Sequence, residues 1–101
     1  ATIYVDLLDS KVDVRHYFEN AYQNEEFVKI LPEGVYPETR SVKSSNYCQL
    51  AIQYVEHSDK LVIMSVIDNL VKGAAGQAIQ NMNLMFGIDE KTGLSQIGLL
   101  P

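Results

Sequence analysis

Two alternating apolar segments separated by a short polar turn constrain the fold of this chain more than any other feature. Residues 47–55 and 60–67 are rich in β-branched, aliphatic and aromatic side chains, and both have the length of ordinary strands. Residues 56–59, which lie between them, are polar enough to form a hairpin turn. The pattern therefore predicts two antiparallel strands that are neighbours in a sheet.

Three other segments also have strand composition. Residues 2–8 predict one strand, residues 27–31 a second, short one, and residues 39–43 an edge strand. The intervening residues 32–37 predict a loop, because both prolines lack a donor and Gly34 permits a positive φ.

Two segments have the apolar period of a helix. After Asp9 and Ser10, which are good N-caps, a first helix should end near Asn24. Its apolar face comprises Val14, Tyr17, Phe18, Ala21 and Tyr22. A second helix should open at Asp68 or Asn69 and stop at Gly87. Its apolar positions are Leu70, Val71, Ala74, Ala75, Ala78, Ile79, Met82 and Met85.

The order of elements and the composition together indicate one small domain. Strand, helix, several strands and a final helix favour an α+β fold, an antiparallel or mixed sheet with helices on one side. Residues 93–101 should form an irregular tail. A net charge of −5 over 101 residues argues against nucleic-acid binding, and no uncharged run suits a bilayer span. The single cysteine excludes an internal disulfide and favours a reducing compartment.

Few residues have the spacing that catalysis or metal binding requires. Cys48 belongs to a strand alternation, where a free cysteine usually acts as a small buried apolar residue. His16 and His57 have no second ligand nearby in sequence, so we expect no metal site. Residues 43–47 are dense in hydrogen-bonding groups, which suits either an ordinary turn or contacts to a small polar substrate.

The glycine-rich and alanine-rich opening of the second helix, residues 72–76, is the most informative motif. Each glycine there costs roughly 1 kcal/mol relative to alanine in a helix interior. Small residues allow either tight packing or the approach of a ligand to the electropositive helix N-terminus. Because no glycine-rich phosphate loop is present, the chain should not hold a nucleotide cofactor by itself.

Several segments resemble one family of enzymes. Residues 68–87 closely resemble the last helix of the N-acetyl-gamma-glutamyl-phosphate reductases, and residues 27–39 and 45–48 resemble the middle segment of that family. Residues 1–5 resemble the strand before it. Aspartate-semialdehyde dehydrogenase shares the architecture but is a poorer match. The resemblance implies a semialdehyde-dehydrogenase-like carboxy-terminal domain, residues 1–101, from a longer cytoplasmic enzyme of arginine biosynthesis.

The resemblance also implies a reaction. Enzymes of the family use NADPH to reduce N-acetyl-glutamyl phosphate to N-acetyl-glutamate semialdehyde. A thiolate attacks the acyl phosphate, and hydride then reduces the resulting thioester. The nucleophilic cysteine and the acid/base histidine of the family precede Ala1, and neither Cys48 nor either histidine matches them. We therefore predict no catalytic residue in this chain and no activity from the chain alone.

The resemblance assigns binding roles to two groups of residues. Cofactor contacts near the nicotinamide of NADP are expected at Asn69, Gly73, Ala74 and Gly76, and substrate contacts at Ser45 and Asn46. The family often has glycine where Ser44 stands.

The resemblance also implies which partners the chain should have. The NADP-binding domain of the same enzyme should pack against residues 68–87, and a homo-oligomer and a small-molecule substrate are expected, without nucleic acid or membrane. The alternative is an autonomous, non-catalytic binding or dimerisation module. In either case the apolar stripe of the second helix predicts self-association of the isolated chain.

Overall fold

A four-stranded mixed sheet is the central element of the computed structural model, which describes residues 1–98. Its strands are β1 (Thr2–Asp6), β2 (Val28–Ile30), β3 (Cys48–Tyr54) and β4 (Lys60–Val66), in the order β1-β4-β3-β2. Strand β4 is antiparallel to both β1 and β3, whereas β2 is parallel to β3. The predicted α+β class and the predicted β3–β4 hairpin are confirmed.

The helical elements are α1 (Val14–Tyr22), α2 (Thr39–Val42), a π-helical segment (Val71–Ala75) and α3 (Gly76–Met85). The predicted stop at Gly87 is confirmed, since Gly87 has a φ of 68°. The Ile88 N–H donates to the Asn83 carbonyl at 2.8 Å, and the Gly87 N–H donates to the Leu84 carbonyl. These are the two hydrogen bonds of a Schellman motif.

The predicted edge strand at residues 39–43 is wrong. These residues form the single turn of α2, in which the Ser41 N–H donates to the Glu38 carbonyl at 3.0 Å. The reason is topological: β2 and β3 are parallel, so the chain between them must cross over rather than pair. Buried Val42 anchors this crossover, and its β-branched side chain gave the segment its strand-like composition.

The predicted N-cap of the first helix is also wrong. The Asp9 carboxylate accepts from the Lys11 N–H at 2.9 Å and so stabilises a separate turn. The helix begins later, at Val14, with Asp13 as N-cap accepting from the His16 N–H at 3.1 Å. Asp9 and Asp13 are both suitable N-caps. Because the Asp9 side chain is engaged in its own turn, Asp13 caps the helix.

The second predicted helix opens as a π-helix rather than an α-helix. The Gly73 N–H donates to the Asp68 carbonyl and the Ala75 N–H to the Leu70 carbonyl, each five residues back. The two ends of this turn are fixed by contacts with residues 44 and 46, described below, and the extra residue is accommodated between them. The predicted irregular tail is confirmed over residues 93–98, and residues 99–101 lie outside the described part.

The apolar core of the described residues is small. Its buried side chains are Phe27, Val42, Ala51, Ile52, Leu61 and Leu94. The radius of gyration is 15.2 Å, larger than the value of about 13 Å expected for a compact chain of this length. Much apolar surface therefore stays exposed, including Tyr4 on β1 and Tyr17 on α1.

Candidate functional site

The predicted cofactor residues lie around the opening of the π-helical segment. Asn69, Gly73 and Ala74 are exposed, whereas Gly76 is buried within the chain itself. A Cβ atom added to Gly73 would lie 3.3 Å from Ile67 Cδ1, so even a methyl group would be tight there. The exposed part of this segment is thus a strip of small residues beside the side-chain amide of Asn69.

Gly76 is glycine for a reason that lies inside this chain. A Cβ atom at this position would lie 2.2 Å from Asn46 Oδ1 and 2.6 Å from the Val71 carbonyl oxygen. One Cα–H bond of Gly76 therefore points at Asn46 Oδ1, a buried oxygen with no hydrogen-bond partner within residues 1–98. The packing interpretation of the small residues holds at Gly76.

The predicted substrate residues are fully buried, and the side chain of each already donates one hydrogen bond. Ser45 Oγ donates to the Val42 carbonyl at 2.7 Å, and Asn46 Nδ2 donates to Gln80 Oε1 at 3.0 Å. The structure places Asn46 against Gly76, so one predicted substrate residue and one predicted cofactor residue are in direct contact. Both assignments stay predictions.

A polar network that the sequence did not reveal surrounds Gln80. Lys72 Nζ donates to Gln80 Oε1 at 2.6 Å, and Gln80 Nε2 donates to Glu90 Oε2 at 2.8 Å. The Lys72 ammonium also lies 5.8 Å from the centroid of the Phe27 ring. The network fixes α3 to the π-helical segment. Nothing in the spacing of Lys72 and Gln80, which are two turns apart, signals it.

Helix α3 has its polarity reversed. Its buried residues are Gly76, Gln80 and Asn83, and Asn83 Nδ2 donates to the carbonyls of Glu90 and Thr92, both at 3.1 Å. Apolar side chains lie on its exposed surface, among them Met85, which is 81% exposed, and Phe86, which is 74% exposed. Large exposed apolar side chains grouped on one helix are typical of an interaction site.

Asp68 joins the π-helical segment to the turn before β3. One carboxylate oxygen accepts from the N–H groups of Leu70 and Val71 at 2.7 and 3.2 Å, and the other accepts from the Ser44 N–H at 2.7 Å. These donors, that of Ser44 foremost, hold the pKa of Asp68 below its usual value, and Lys43 contributes through its charge. The sequence identified Asp68 as a cap but not its link to Ser44.

The other chemically capable residues do not assemble into a catalytic group. Cys48 is half-buried rather than fully buried, and its Sγ lies 3.5 Å from Ser65 Oγ on the neighbouring strand. His16 Nε2 lies 3.0 Å from Asn20 Nδ2 on exposed α1, and His57 lies in the hairpin turn. Within residues 1–98 no three His, Cys, Asp or Glu side chains are grouped to hold a metal ion.

A concave region of about 360 Å³ lies elsewhere, beside α1 and β3. Arg15 in its wall donates to the carbonyls of Leu31 and Ile52 at 2.8 and 3.1 Å, so its guanidinium is already engaged. Among the described residues, no helix has the length and apolar content needed to cross a bilayer.

Comparison with known proteins defines the class. The model of the semialdehyde dehydrogenase dimerisation domain matches residues 1–69, which is more than half of the chain. The chain therefore belongs to the semialdehyde dehydrogenase dimerisation domain family.

Curated relatives narrow the comparison to one enzyme. The chain is 60% identical to the N-acetyl-gamma-glutamyl-phosphate reductase of Vesicomyosocius okutanii. It is 59% identical to that of Ruthia magnifica and 52% identical to that of Pseudomonas fluorescens. Each match covers 100% of this chain and 29% of the relative. The chain thus spans less than a third of the length of these relatives.

Proposed function

We propose that this chain is the carboxy-terminal part of an N-acetyl-gamma-glutamyl-phosphate reductase that acts in arginine biosynthesis. The observation that carries the proposal is identity of 52–60% along the whole chain to proteins of that name. In the proposed reaction the bond from acyl carbon to phosphate oxygen breaks and a C–H bond forms. Phosphate leaves as the acyl phosphate becomes an aldehyde.

The exposed opening of the π-helical segment supports the choice of cofactor. NADPH supplies the hydride when it is bound. Asn69, Gly73 and Ala74 would hold the nicotinamide end, because the first offers a free amide and the other two present no bulk. The predicted cofactor contact at Gly76 remains a prediction, because Gly76 is already buried by residues of this chain.

The described residues supply binding surface rather than the reacting groups. The only cysteine, Cys48, lies in β3 beside Ser65 rather than in the first turn of a helix, where thiolates are activated. We therefore expect the nucleophile and the acid/base group from the rest of the enzyme. The isolated chain should be inactive.

The reversed polarity of α3 supports a domain contact. The apolar surface formed by Ile79, Met82, Met85 and Phe86 faces away from the chain. We propose that the NADP-binding domain of the same enzyme covers it, and that β1 and α1, which also expose aromatic side chains, contribute to a homo-oligomer. The family description as a dimerisation domain supports the second part.

The test is complementation together with an assay. A strain that lacks this reductase should grow without arginine when it carries the complete polypeptide, and should fail to grow when it carries residues 1–101 alone. Purified complete enzyme should reduce NADP⁺ in the reverse direction, with semialdehyde and inorganic phosphate. Absence of that activity would refute the proposed function. Activity from residues 1–101 alone would refute the proposal that the nucleophile and the acid/base group come from the rest of the enzyme.

The alternative, a non-catalytic dimerisation module, predicts a different outcome. Residues 1–101 would then form one defined dimer, and Met85→Ser with Phe86→Ser would leave it intact. Under our proposal the same double variant should reduce self-association of the isolated chain, because those side chains are left exposed when the NADP-binding domain that would cover them is missing. Sedimentation velocity across a concentration series distinguishes the two results.

A further inference from the structure

The two segments that carry the predicted binding residues are tied together at three points. The first segment is the turn of residues 43–47 before β3, and the second is residues 68–80. Asp68 accepts from Ser44, Asn46 donates to Gln80, and Gly76 packs against Asn46. Of these three ties, only the first involves a charged group and lies at the surface.

Ser44 has a backbone conformation that needs support. Its φ is 63°, in the left-handed region, which costs an ordinary side chain free energy that glycine does not lose. The Ser44 N–H donates to Asp68 Oδ2 at 2.7 Å, a short bond to a charged acceptor. The carboxylate therefore stabilises a turn that serine alone would leave more readily than glycine.

The other Asp68 oxygen fixes the second segment. By accepting from Leu70 and Val71, it sets where the π-helical segment begins, and Gly73 N–H returns to the Asp68 backbone carbonyl at 3.0 Å. Asn69, the predicted nicotinamide contact, lies directly between these anchored residues. A movement of Asp68 would thus displace both Asn69 and the turn that leads to Ser45 and Asn46.

We propose that Asp68 is a positioning residue for the reductase reaction. Its two carboxylate oxygens hold the cofactor-binding segment and the substrate-binding turn as one unit, an arrangement that we call the Asp68 clamp. The inference rests on the proposed function, and it adds a residue that acts through Asn69, Ser45 and Asn46 without touching either ligand.

The test uses the complete reductase, assayed in the reverse direction. Asp68→Asn keeps an oxygen that can cap Leu70 and Val71 but replaces the acceptor of the Ser44 N–H with an amide that donates. The KM values for NADP⁺ and for semialdehyde should rise together, each on the order of tenfold. Asp13→Asn, the matched change at the N-cap of α1, should alter both KM values less than twofold.

A second background separates positioning from simple capping. Because glycine adopts a positive φ freely, Ser44→Gly should reduce the effect of Asp68→Asn to about threefold. If Asp68→Asn has the same effect in both backgrounds, Asp68 is only a helix cap and the inference is wrong. Unchanged KM values in Asp68→Asn would also overturn it. Where Asp68→Asn does not fold, Asp68→Ser, which keeps a good cap, replaces it.

Hydrogen exchange reports the clamp without any activity. The Ser44 amide of the complete polypeptide should exchange at least about tenfold faster in Asp68→Asn than in the unaltered enzyme, and Asp13→Asn should not change it. Equal exchange rates would overturn the inference. Faster exchange in a polypeptide that lacks reductase activity would refute the proposed function while leaving the clamp itself in place.

Discussion

The β3–β4 hairpin and helix α3 bury opposite kinds of side chain. In the hairpin the buried positions are apolar, and Leu61 is only 1% exposed. In α3 the buried side chains are polar amides: Asn83 is also 1% exposed, whereas Met85 on the outer surface is 81% exposed. Both regions are regular secondary structure, so the contrast lies in their side chains.

The contrast shows that the two regions are completed in different ways. The sheet buries apolar side chains within this chain, since Ala51, Ile52 and Leu61 are each at most 3% exposed. The helix is held to the chain by the hydrogen bond that Gln80 accepts from Asn46 and by one that Asn83 donates to the Glu90 carbonyl, and its apolar surface is left for another surface to cover. Stability should therefore come mainly from the sheet and association mainly from the helix.

The largest expected effect follows from the sheet. Leu61→Ala should lower the free energy of unfolding of the 101-residue chain by about 3 kcal/mol, because it leaves a cavity in the only apolar core of the described residues. Met85→Ala, the matched truncation on α3, should change it by less than about 0.5 kcal/mol. Urea unfolding followed by circular dichroism measures both. Equal losses of unfolding free energy in the two variants would show that Met85 is buried within the chain, and would contradict the contrast between the hairpin and α3.

The next effect tests the junction between helix and sheet. Gly76→Ala should cost about 2 kcal/mol, because the new methyl group meets Asn46 Oδ1 and the Val71 carbonyl, and a carbonyl in a helix cannot move away. Gly73→Ala should cost clearly less, since its nearest neighbour is the flexible end of Ile67. Thermal unfolding of both variants gives the difference. Equal costs would contradict the packing described for Gly76.

The smallest effect sharpens the role of Asp68 at the same junction. Its pKa is lowered in the folded chain, so its contribution to stability is present above the ordinary carboxyl value of 3.8 and is lost as pH falls through the folded value. The difference in unfolding free energy between the unaltered chain and Asp68→Asn should therefore shrink from about pH 6 to about pH 3. A difference that stays constant would show that the ionised carboxylate adds nothing.

Local patterns were sufficient for most of the secondary structure. The β3–β4 hairpin and the glycine stop at Gly87 were predicted from features that act over a few residues, namely strand composition, a polar turn and a permitted positive φ. The segment at residues 39–43 was mispredicted because its composition is that of a strand, while its conformation depends on β2 and β3 being parallel.

The sequence indicated which segments form the candidate site but not which of their residues contact one another. The small residues at 73, 74 and 76 were evident, but the sequence could not separate Gly73, which is exposed, from Gly76, which is enclosed by Asn46. The link from Asp68 to Ser44 spans 24 residues, and no local pattern records it. The one available signal was the resemblance, which implies that glycine often stands at this position, and Ser44 has a φ of 63°, which glycine adopts freely.

The sequence by itself determined the β3–β4 hairpin, the glycine stop after α3 and the family to which the chain belongs, because those depend on local conformational preference and on long matching segments. Only the tertiary structure decided which face of α3 is buried. The buried amides of the helix need hydrogen-bond partners, and these come from outside the helix: Asn46 donates to Gln80, and Asn83 donates to the carbonyls of Glu90 and Thr92.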